Sequence, residues 1–315
     1  MVSITAELEK AKTTEESLIT IGVFDGVHMG HRSLISQLIS QAKSKSLISG
    51  VVTFSNHPGT IINKNFEPNY LTSLQDRLKL IEEIGVDFVV PVTFTEEVAN
   101  LKAQEFTKIL QNKLKMKGLM VGPDFQMGKG REANVKKLET IGENQGFKLT
   151  KINVKGIKNL TVRSTSVREA LKQGKIEEAT EILGRRHSLK GTIVLGEKRG
   201  RDLGFPTANF DVPADICVPS NGIYATFIYL DEQKYLSATS VGTNPTFNGK
   251  QRTIETYIMD FARNIYGSQP KLEFVSKLRD EISFDSIPSL IEQMNRDVEK
   301  ARDILNKNKS PRNHA

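Results

Sequence analysis

Short apolar segments alternate with amphipathic segments over the first part of the chain, from about residue 18 to about residue 183. The apolar segments are rich in Val, Ile and Phe and have the length of strands: LITIGVF (18–24), GVVTF (50–54), VDFVVPV (86–92), KGLMVG (117–122) and FKLTKINV (147–154). The amphipathic segments repeat apolar residues at helical spacing: HRSLISQLISQAKSK (31–45), SLQDRLKLIEEIG (73–85), AQEFTKILQNKL (103–114) and REANVKKLETIGENQG (131–146). Strands separated by helices of that length need crossover connections, so the pattern predicts a mostly parallel, doubly wound α/β sheet.

The pattern changes after SLKG (188–191). Strand-like segments now follow one another between Gly, Pro, Asn and Asp clusters: GTIVLG (191–196), GIYATFIYL (222–230), KYLSATSVG (234–242), TIETYIMDF (253–261) and PKLEFVSKL (270–278). One long amphipathic segment, 286–305, comes last. This part is therefore predicted to be an antiparallel β-barrel with a terminal helix. With LGRRHS (183–188) as the linker, we predict two domains, residues 1–187 and residues 188–315.

The amino-acid composition indicates the class of protein and the cellular compartment. The chain has 315 residues, 38% hydrophobic and 26% charged, which fits two globular domains and excludes fibrous and disordered proteins. Its single cysteine, Cys217, cannot form an internal disulfide or complete a zinc site. The opening MVSITAELEK carries acidic residues where a secretory signal needs other types, and no apolar run approaches the ~20 residues of a membrane span. We therefore expect a soluble, cytoplasmic protein.

The net charge of +7 lies mostly before residue 188. Basic residues are dispersed, without interleaved aromatic residues, although LQNKLKMKG (110–118) is locally basic. Such a distribution suits small polyphosphate ligands at least as well as nucleic acid, and an ordinary solvated surface also explains it. We expect neither a membrane nor a nucleic-acid partner, and a homo-oligomer is left open.

Glycine and histidine residues crowd the end of the first predicted strand. Gly22, Gly26 and Gly30 let the backbone approach a bulky anion, and the helix that begins there presents unpaired N–H groups and a partial positive charge. His28 and His31 are three residues apart, so both imidazoles can face one side of the first turn and donate to phosphate oxygens. The turn is thus predicted to bind a phosphate chain.

Two other interpretations of these histidines stay open, a metal-ligand pair and a structural pair near a turn. No cysteine or third histidine lies at metal-ligand spacing. Three of the five histidines, His28, His31 and His57, follow predicted strands, at the edge where open α/β sheets bind ligands. The phosphate hypothesis is therefore preferred.

The stretch from Gly22 to His31 contains an H-x-G-H signature and resembles the nucleotidylyltransferase superfamily, in the form found in bacterial bifunctional riboflavin kinase/FAD synthetases. The resemblance continues through TFSNHP (53–58), LTSLQDRLKLIEEIGVD (71–87), AQEFTKIL (103–110), VGPDFQMGKG (121–130) and VRSTSVREALKQGKIEEATEILGR (162–185). It implies a Rossmann-like adenylyltransferase domain in which His28, His31 and Arg168 are catalytic. The implied ATP-binding residues are Gly22, Phe24, Asp25, Gly26, His28, Gly30, His31, Ser164, Thr165 and Arg168. The implied flavin-binding residues are His57, Pro58, Asp124 and Phe125.

Residues 163–169, RSTSVRE, agree with this assignment on their own chemistry. Ser164 or Thr165 can cap a helix N-terminus, while Arg168 offers a planar fork to phosphate. An ordinary capping box from Ser166 to Glu169 is the alternative.

GKGREA (128–133) fits the dinucleotide fingerprint G-x-G-x-x-A, but the predicted strand before it ends several residues too early. A flexible flap that contacts substrate is the preferred interpretation. A Walker A loop does not occur in the sequence.

In the second domain a glycine-rich stretch leads into Pro206-Thr207-Ala208-Asn209. This stretch resembles the riboflavin kinase domain, as do NGIYATF (221–227), VGTNPTF (241–247), TIETYIMDF (253–261) and IYGSQPKLEFVSKLRDE (265–281). The residues implied to bind ATP and Mg²⁺ are Gly196, Gly200, Gly204, Pro206, Thr207 and Asn209, with Thr207 and Asn209 as the metal ligands. By the same resemblance Glu255 accepts the proton of the ribityl terminal hydroxyl.

The residue types suit that chemistry, because hydroxyl and amide oxygens are hard ligands for Mg²⁺ and a carboxylate can position an attacking alcohol. The alternatives are that Glu255 is an outward-facing strand residue and that the glycines mark tight turns of a barrel.

Three residues depart from the family pattern. Asn56 stands where proline is commoner before His57, Met127 where an aromatic residue is frequent, and Tyr257 where histidine is frequent. None removes a charge or hydroxyl assigned to chemistry, so they put only flavin affinity and stacking in question.

The resemblance as a whole implies an enzyme of flavin cofactor biosynthesis that uses ATP and Mg²⁺. It would phosphorylate riboflavin to FMN in the C-terminal domain and adenylylate FMN to FAD, with release of pyrophosphate, in the N-terminal domain. A chain with only one of these activities is the closest alternative. A flavin-binding regulator that contacts RNA is the alternative from another class.

Overall fold

The structure is a computed structural model that describes residues 3–11, 13–152, 162–196, 200, 203–246 and 249–308, without the side chains of 244–246 and 249–251. By its internal contacts the chain divides into two compact units, Met1–Val162 and Arg163–Ala315.

Five strands in the described part of the N-terminal unit form one parallel sheet, in the order β3-β2-β1-β4-β7. The strands of this unit are β1 (Ser17–Ile21), β2 (Ile48–Phe54), β3 (Phe88–Val92), β4 (Met116–Val121) and β7 (Lys148–Lys151), with the short β5 (Gln126–Met127) and β6 (Ala133–Asn134) paired separately. The chain winds from β1 to one side of the sheet and then to the other, so β1 and β4 flank the topological switch point.

Helices cover both faces of this sheet, because neighbouring residues of the central strands are buried on opposite sides. Leu18 packs in a core with α2 and α4, whereas Ile19 packs in a second core with α1, α6 and α7. The helices are α1 (Ile4–Leu8), α2 (Met29–Ser44), α3 (Gly59–Ile62), α4 (Leu74–Glu82), α5 (Glu96–Asn100), α6 (Ala103–Leu114) and α7 (Val135–Gln145). The predicted doubly wound α/β class is confirmed; α1, α3 and α5 are too short to give a helical period in the sequence.

Seven strands in the described part of the C-terminal unit form one antiparallel sheet, in the order β8-β14-β11-β12-β13-β10-β9. The elements of this unit are α8 (Ser164–Lys172), α9 (Ile176–Leu183), β8 (Ser188–Lys190), β9 (Thr192–Val194), β10 (Thr207–Asp211), β11 (Gly222–Leu230), β12 (Gln233–Thr246), β13 (Gly249–Ile258), β14 (Lys271–Arg279) and α10 (Ile287–Lys307).

Gly191 alone separates the two edge strands β8 and β9, so they are two halves of one bent strand that closes the sheet into a barrel. A Cβ at Gly191 would lie 2.5 Å from the carbonyl oxygen of Asp211, so this bend requires glycine. The terminal helix α10 packs on the outside of the barrel through Ala301 and Leu305. The predicted barrel with a terminal helix is confirmed.

Helices α8 and α9 belong to the C-terminal unit, since the division between the units falls ahead of them. Within the segment 183–188, which the sequence offers as a linker, His187 is buried and Arg186 donates to the carbonyl oxygen of Asn308 at 2.9 Å. The limits 1–187 and 188–315 therefore stay a prediction, and the segment is packed into the barrel unit.

Candidate active sites

The turn between β1 and α2 is organised around His28. Its Nδ1 accepts the backbone N–H of His31 at 3.3 Å, which makes His28 the N-cap of α2. Because Nδ1 is an acceptor, the imidazole proton of neutral His28 lies on Nε2. Gly26 has a φ of 77°, a backbone conformation that favours glycine.

The two histidines of the H-x-G-H signature lie against each other. The rings of His28 and His31 stack with centroids 3.6 Å apart, and Phe24 meets His31 edge-on at 5.1 Å. Burial, followed by the charges of His28 and Arg77, lowers the pKa of His31 well below its usual value. The prediction that both imidazoles face one side of the first turn is confirmed, and His31 is neutral at physiological pH.

Asp25 holds the turn in place. Its buried carboxylate accepts the backbone N–H groups of Leu71 at 2.9 Å and Thr72 at 3.3 Å, and the Thr72 hydroxyl accepts the N–H of Gly26 at 3.2 Å. The side chain of Asp25 thus anchors the turn between β1 and α2 to the residues just before α4.

His57 and Pro58 follow β2, so they lie at the same edge of the sheet as the turn between β1 and α2. The His57 ring stacks on Phe66 with centroids 4.5 Å apart, and its backbone N–H donates to the Tyr70 hydroxyl at 2.7 Å. Sequence reasoning missed Phe66 and Tyr70, although two aromatic residues in the polar loop KNFEPNY (64–70) are a usable signal.

Asn56, one of the departures from the family pattern, joins the ends of β2 and β3. Its amide donates to the Phe94 carbonyl at 2.9 Å and accepts the Phe94 N–H at 2.8 Å. Asparagine therefore supplies two hydrogen bonds at the residue before His57 that proline cannot make.

Asp124 and Phe125 follow β4, the other neighbour of β1, so they also lie at the carboxyl edge of the sheet. Asp124 is exposed, whereas Phe125 and Met127 pack partly buried against the core. The methionine that replaces an aromatic residue thus has a packing role on the hairpin of β5 and β6.

Residues 128–133 lie in that hairpin and not between a strand and a helix of a parallel unit, which excludes the dinucleotide interpretation. Lys129 donates its N–H to the Leu101 carbonyl at 2.8 Å, and Glu132 accepts the N–H of Ala103 at 3.0 Å. The expected flap is a hairpin fastened to the start of α6.

The second predicted phosphate-binding segment forms the start of α8, in the C-terminal unit. Arg163 is the N-cap residue and makes no side-chain cap hydrogen bond, so Ser164 and Thr165 lie in the first turn and Arg168 in the next. The prediction that Ser164 or Thr165 caps the helix is wrong, and the alternative of a capping box from Ser166 to Glu169 is excluded as well, because Arg163 is the N-cap. The helix starts earlier because Arg163 is the last residue with extended backbone.

The candidate kinase residues meet on the strand pair β10 and β13. Their register places Thr207 opposite Tyr257 and Asn209 opposite Glu255, and the Thr207 hydroxyl donates to Glu255 Oε2 at 3.2 Å. Glu255 is half-buried. Two ligand candidates and the candidate base therefore occupy one face of one strand pair.

The glycine-rich loop approaches this face closely. A Cβ at Gly196 would lie 2.2 Å from the Asn209 amide nitrogen, and one at Gly200 would lie 2.4 Å from the Phe205 carbonyl oxygen. Gly204 has a φ of 83°. Residues 197–199 and 201–202 of the predicted loop lie outside the described residues.

Tyr257, in the place of a frequent histidine, packs against the residue before Pro206. Its ring meets that of buried Phe205 edge-on, with centroids 5.3 Å apart. The substitution therefore supports the Pro206 bend from the opposite strand.

The donor set on β10 and β13 fits Mg²⁺. Thr207 supplies a hydroxyl oxygen, Asn209 an amide oxygen and Glu255 carboxylate oxygens, and Mg²⁺ takes oxygen ligands together with substrate phosphates. Gly196 lets the backbone pass beside the Asn209 amide, where a side chain would collide with it.

Comparison with known proteins gives matches in both regions. A family model for FAD synthetase matches residues 10–166 and one for riboflavin kinase matches residues 183–305. The first range includes Ser164 and Thr165, while Arg168 lies between the two ranges.

Three relatives, each named a bifunctional riboflavin kinase/FMN adenylyltransferase, match nearly the full chain. The protein of Listeria monocytogenes is 34% identical and covers 92% of this chain and 94% of its own. That of Escherichia coli K12 is 34% identical, with 92% and 93% covered, and that of Bacillus subtilis is 32% identical, with 91% and 92% covered.

A solved structure from Streptococcus pneumoniae, described as a macrolide-efflux protein, is 28% identical, has a TM-score of 0.85 and covers 92% of this chain and 95% of its own. This description differs from the names of the relatives. Within the described residues, no helix has both the length and the apolar character needed to cross a membrane.

Proposed function

Since this chain belongs to the family of bifunctional riboflavin kinase/FMN adenylyltransferases, we propose that its two reactions take place at the two sites described above, each with its own ATP. The chain phosphorylates riboflavin to FMN through its riboflavin kinase region and adenylylates FMN to FAD through its FAD synthetase region. The assignment to sites rests on one observation: the candidate residues of each region meet, His28 on His31 and Thr207 on Glu255.

In adenylyl transfer an oxygen of the FMN phosphate bonds to the α-phosphorus of ATP, and the bond to pyrophosphate breaks. His28 donates its Nε2–H to the ATP phosphates, and His31 joins it as a neutral donor on the same side of the turn. The backbone N–H groups that open α2, next to Gly26 and Gly30, face the same anion.

The assignment of Ser164, Thr165 and Arg168 to phosphate stays a prediction from the family resemblance, since these residues belong to the C-terminal unit. They open α8 without a side-chain cap, and a helix N-terminus next to a guanidinium suits an anion. His57, Pro58, Asp124 and Phe125 bind the flavin, because they follow the two strands that flank β1.

In the kinase reaction Glu255 takes the proton of the riboflavin terminal hydroxyl, whose oxygen bonds to the γ-phosphorus of ATP while ADP leaves. Thr207 and Asn209 would hold Mg²⁺, with the loop of Gly196, Gly200 and Gly204 against the nucleotide. The ion would neutralise charge on the phosphate oxygens. Half-burial of Glu255 beside Thr207 supports its role as the base.

The test is product analysis by chromatography after incubation with ATP, Mg²⁺ and either riboflavin or FMN. His28→Ala should stop at FMN, and Glu255→Gln should form no FMN but still convert supplied FMN to FAD. Glu299→Gln, an exposed change on α10, should match the parent in both reactions. Loss of both reactions in a folded His28→Ala or Glu255→Gln protein would contradict two separate sites.

Two further expectations stay predictions, a cytoplasmic location and the absence of a nucleic-acid partner, and a homo-oligomer stays open. Two ion pairs bear on the expectation of no nucleic-acid partner. In the locally basic segment 110–118, Lys113 pairs with Glu9 and Lys117 with Glu16, so acidic groups offset part of its charge.

A further inference from the structure

Arg77 of α4 is among the largest fully buried side chains of the protein. It contacts the carboxyl ends of β1 and β2, and the proposed function assigns no role to it. Its Nη1 donates to the carbonyl of Val23 at 3.0 Å, and its Nη2 donates to the carbonyl of Phe54 at 2.6 Å. One guanidinium therefore joins the phosphate turn that follows β1 to the last residue of β2, which leads to His57.

The burial of this group is not explained by packing. Its Nε has no hydrogen-bond partner among the described residues, and a buried donor without a partner costs about 1–3 kcal/mol. Burial also lowers the pKa of Arg77, an effect that Asp25 and Tyr70 oppose. Apolar residues commonly stabilise such a position as well as a buried charge does, so a structural role alone does not account for the arginine.

We propose that Arg77 is a positioning residue for adenylyl transfer, which fixes the ATP-phosphate turn and the flavin side of the site relative to each other through its bonds to Val23 and Phe54. This inference rests on the proposed function of the N-terminal site. The planar fork of arginine suits the task, because its two terminal nitrogens reach two carbonyls in fixed directions.

The rest of the segment 70–77 acts on the same two parts of the site. Tyr70 accepts the backbone N–H of His57, and Asp25 is held by backbone N–H groups of the segment. The Arg77 guanidinium lies 6.0 Å from the Tyr70 ring centroid. The turn after β1 and the end of β2, which Arg77 joins, are thus each held by a further hydrogen bond from this segment. These bonds limit the loss of structure when Arg77 alone is changed.

Arg77 also acts on His31 through its charge. The groups that lower the pKa of His31 beyond its burial are His28 and Arg77, and Arg77 in turn faces Asp25 and Tyr70. Removal of the Arg77 charge should therefore raise the pKa of His31, so that His31 becomes protonated at a higher pH.

The experiment measures kcat and both KM values for FAD formation from FMN and ATP in Arg77→Gln, Arg77→Lys and the control Lys79→Gln, an exposed change on the same helix. Arg77→Gln should lower kcat on the order of 100-fold, because a small misplacement of reacting groups costs that much. Arg77→Lys should lie between, since an ammonium is a point donor without the fork. The riboflavin kinase reaction of the same preparations should stay at the parental rate and shows that the C-terminal unit is intact, while the melting temperature followed by circular dichroism reports on the N-terminal unit.

The pH dependence of kcat/KM for FAD formation separates the positioning role of Arg77 from the effect of its charge on His31. Arg77→Gln should move the acid limb of kcat/KM to higher pH, whereas Arg77→Lys should leave the limb in place and still lower kcat. Parental kcat in Arg77→Gln overturns the proposal, and so does a loss in all Arg77 variants that only follows a lower melting temperature. A parent chain that makes no FAD from FMN, or full FAD formation in His28→Ala, would instead refute the proposed function of the site.

Discussion

Thr207 on β10 and Glu255 on β13 lie diagonally across the strand pair, and the threonine hydroxyl donates to the carboxylate at 3.2 Å. The hydroxyl proton is held on the side of the base, so the threonine oxygen keeps its lone pairs for a cation. The geometry therefore lets one residue orient the proposed base and bind Mg²⁺.

Loss of the Thr207 hydroxyl should disable the kinase reaction alone. Thr207→Val keeps the shape of the side chain but removes the oxygen, so FMN formation should fall on the order of 100-fold. Thr207→Ser keeps the hydroxyl and should retain most of the rate. Steady-state rates at several Mg²⁺ concentrations check this, with FAD formation from FMN as the internal control. Equal rates in both variants would count against Thr207 as a ligand.

His28 has two separable roles, as N-cap of α2 and as phosphate donor. Asparagine caps helices well but carries no imidazole, whereas alanine supplies neither function. We expect His28→Asn and His28→Ala to lower FAD formation alike, by about 100-fold or more. Only His28→Ala should also lose about 1 kcal/mol of unfolding free energy, measured by urea titration. A His28→Asn protein with parental FAD synthesis would show that the imidazole serves only as a cap.

Gly196→Ala tests the close approach of the kinase loop. The new Cβ would lie 2.2 Å from the Asn209 amide nitrogen, so the amide of the proposed ligand must turn away. The atom that moves is the end of a side chain, and the barrel should therefore stay folded. The kinase KM for ATP should rise about tenfold, which corresponds to about 1.4 kcal/mol of lost binding. An unchanged KM would mean that Asn209 does not bind the nucleotide complex.

The phosphate turn shows what the sequence alone could predict. His28 and His31 were placed on one side of a helix start by spacing, and the stacked rings confirm it. The contacts of Arg77 and Tyr70 could not be predicted, since they join residues 13 to 54 positions apart and depend on how α4 crosses the sheet. Such long-range pairs leave no periodic pattern.

A periodic or continuous apolar pattern also decides which strands and helices the sequence predicts. The strands with strong apolar runs were predicted, whereas β10 was missed because Thr207–Asp211 is short and mostly polar. The N-cap of α8 was misplaced by one to three residues, because serine and threonine fit a cap equally well in RSTS (163–166).

His187 should make the barrel unit sensitive to acid. Burial lowers the pKa of His187 from 6.5 to about 4, and its Nε2 donates to the Cys217 carbonyl at 3.0 Å. A base with a depressed folded pKa binds its proton mainly in the unfolded state, so stability is complete above pH 6.5 and falls as pH drops towards 4. The loss should reach about 3 kcal/mol.

Reactivity of buried Cys217, the only cysteine, with a thiol reagent that works in acid measures this opening. His187→Gln keeps a donor for the Cys217 carbonyl but does not titrate, so its stability should change less between pH 6.5 and 4. Urea unfolding at pH 7.5 serves as the reference, because His187 is neutral there in both states. The same acid slope in parent and variant would assign the sensitivity to other groups.

A ladder of buried hydroxyls inside the barrel should stabilise it as a unit. Thr226 contacts Thr239 at 2.7 Å, and Thr239 contacts Thr256 at 2.9 Å, across β11, β12 and β13. Thr239→Val keeps the volume but removes the shared partner, and a buried hydroxyl left without its partner costs about 1–3 kcal/mol. Urea unfolding followed by circular dichroism measures the loss.

The double variant Thr239→Val/Thr256→Val distinguishes a ladder from two independent contacts. Once Thr256 is also valine, its hydroxyl can no longer be orphaned, so the second change should cost less in the Thr239→Val background than in the parent. The coupling should be about 0.5 kcal/mol or more for residues in direct contact. Strictly additive losses would mean that each hydroxyl finds another partner. Because Thr256 lies on the opposite face of β13 from Glu255, the kinase KM values should not change in folded protein.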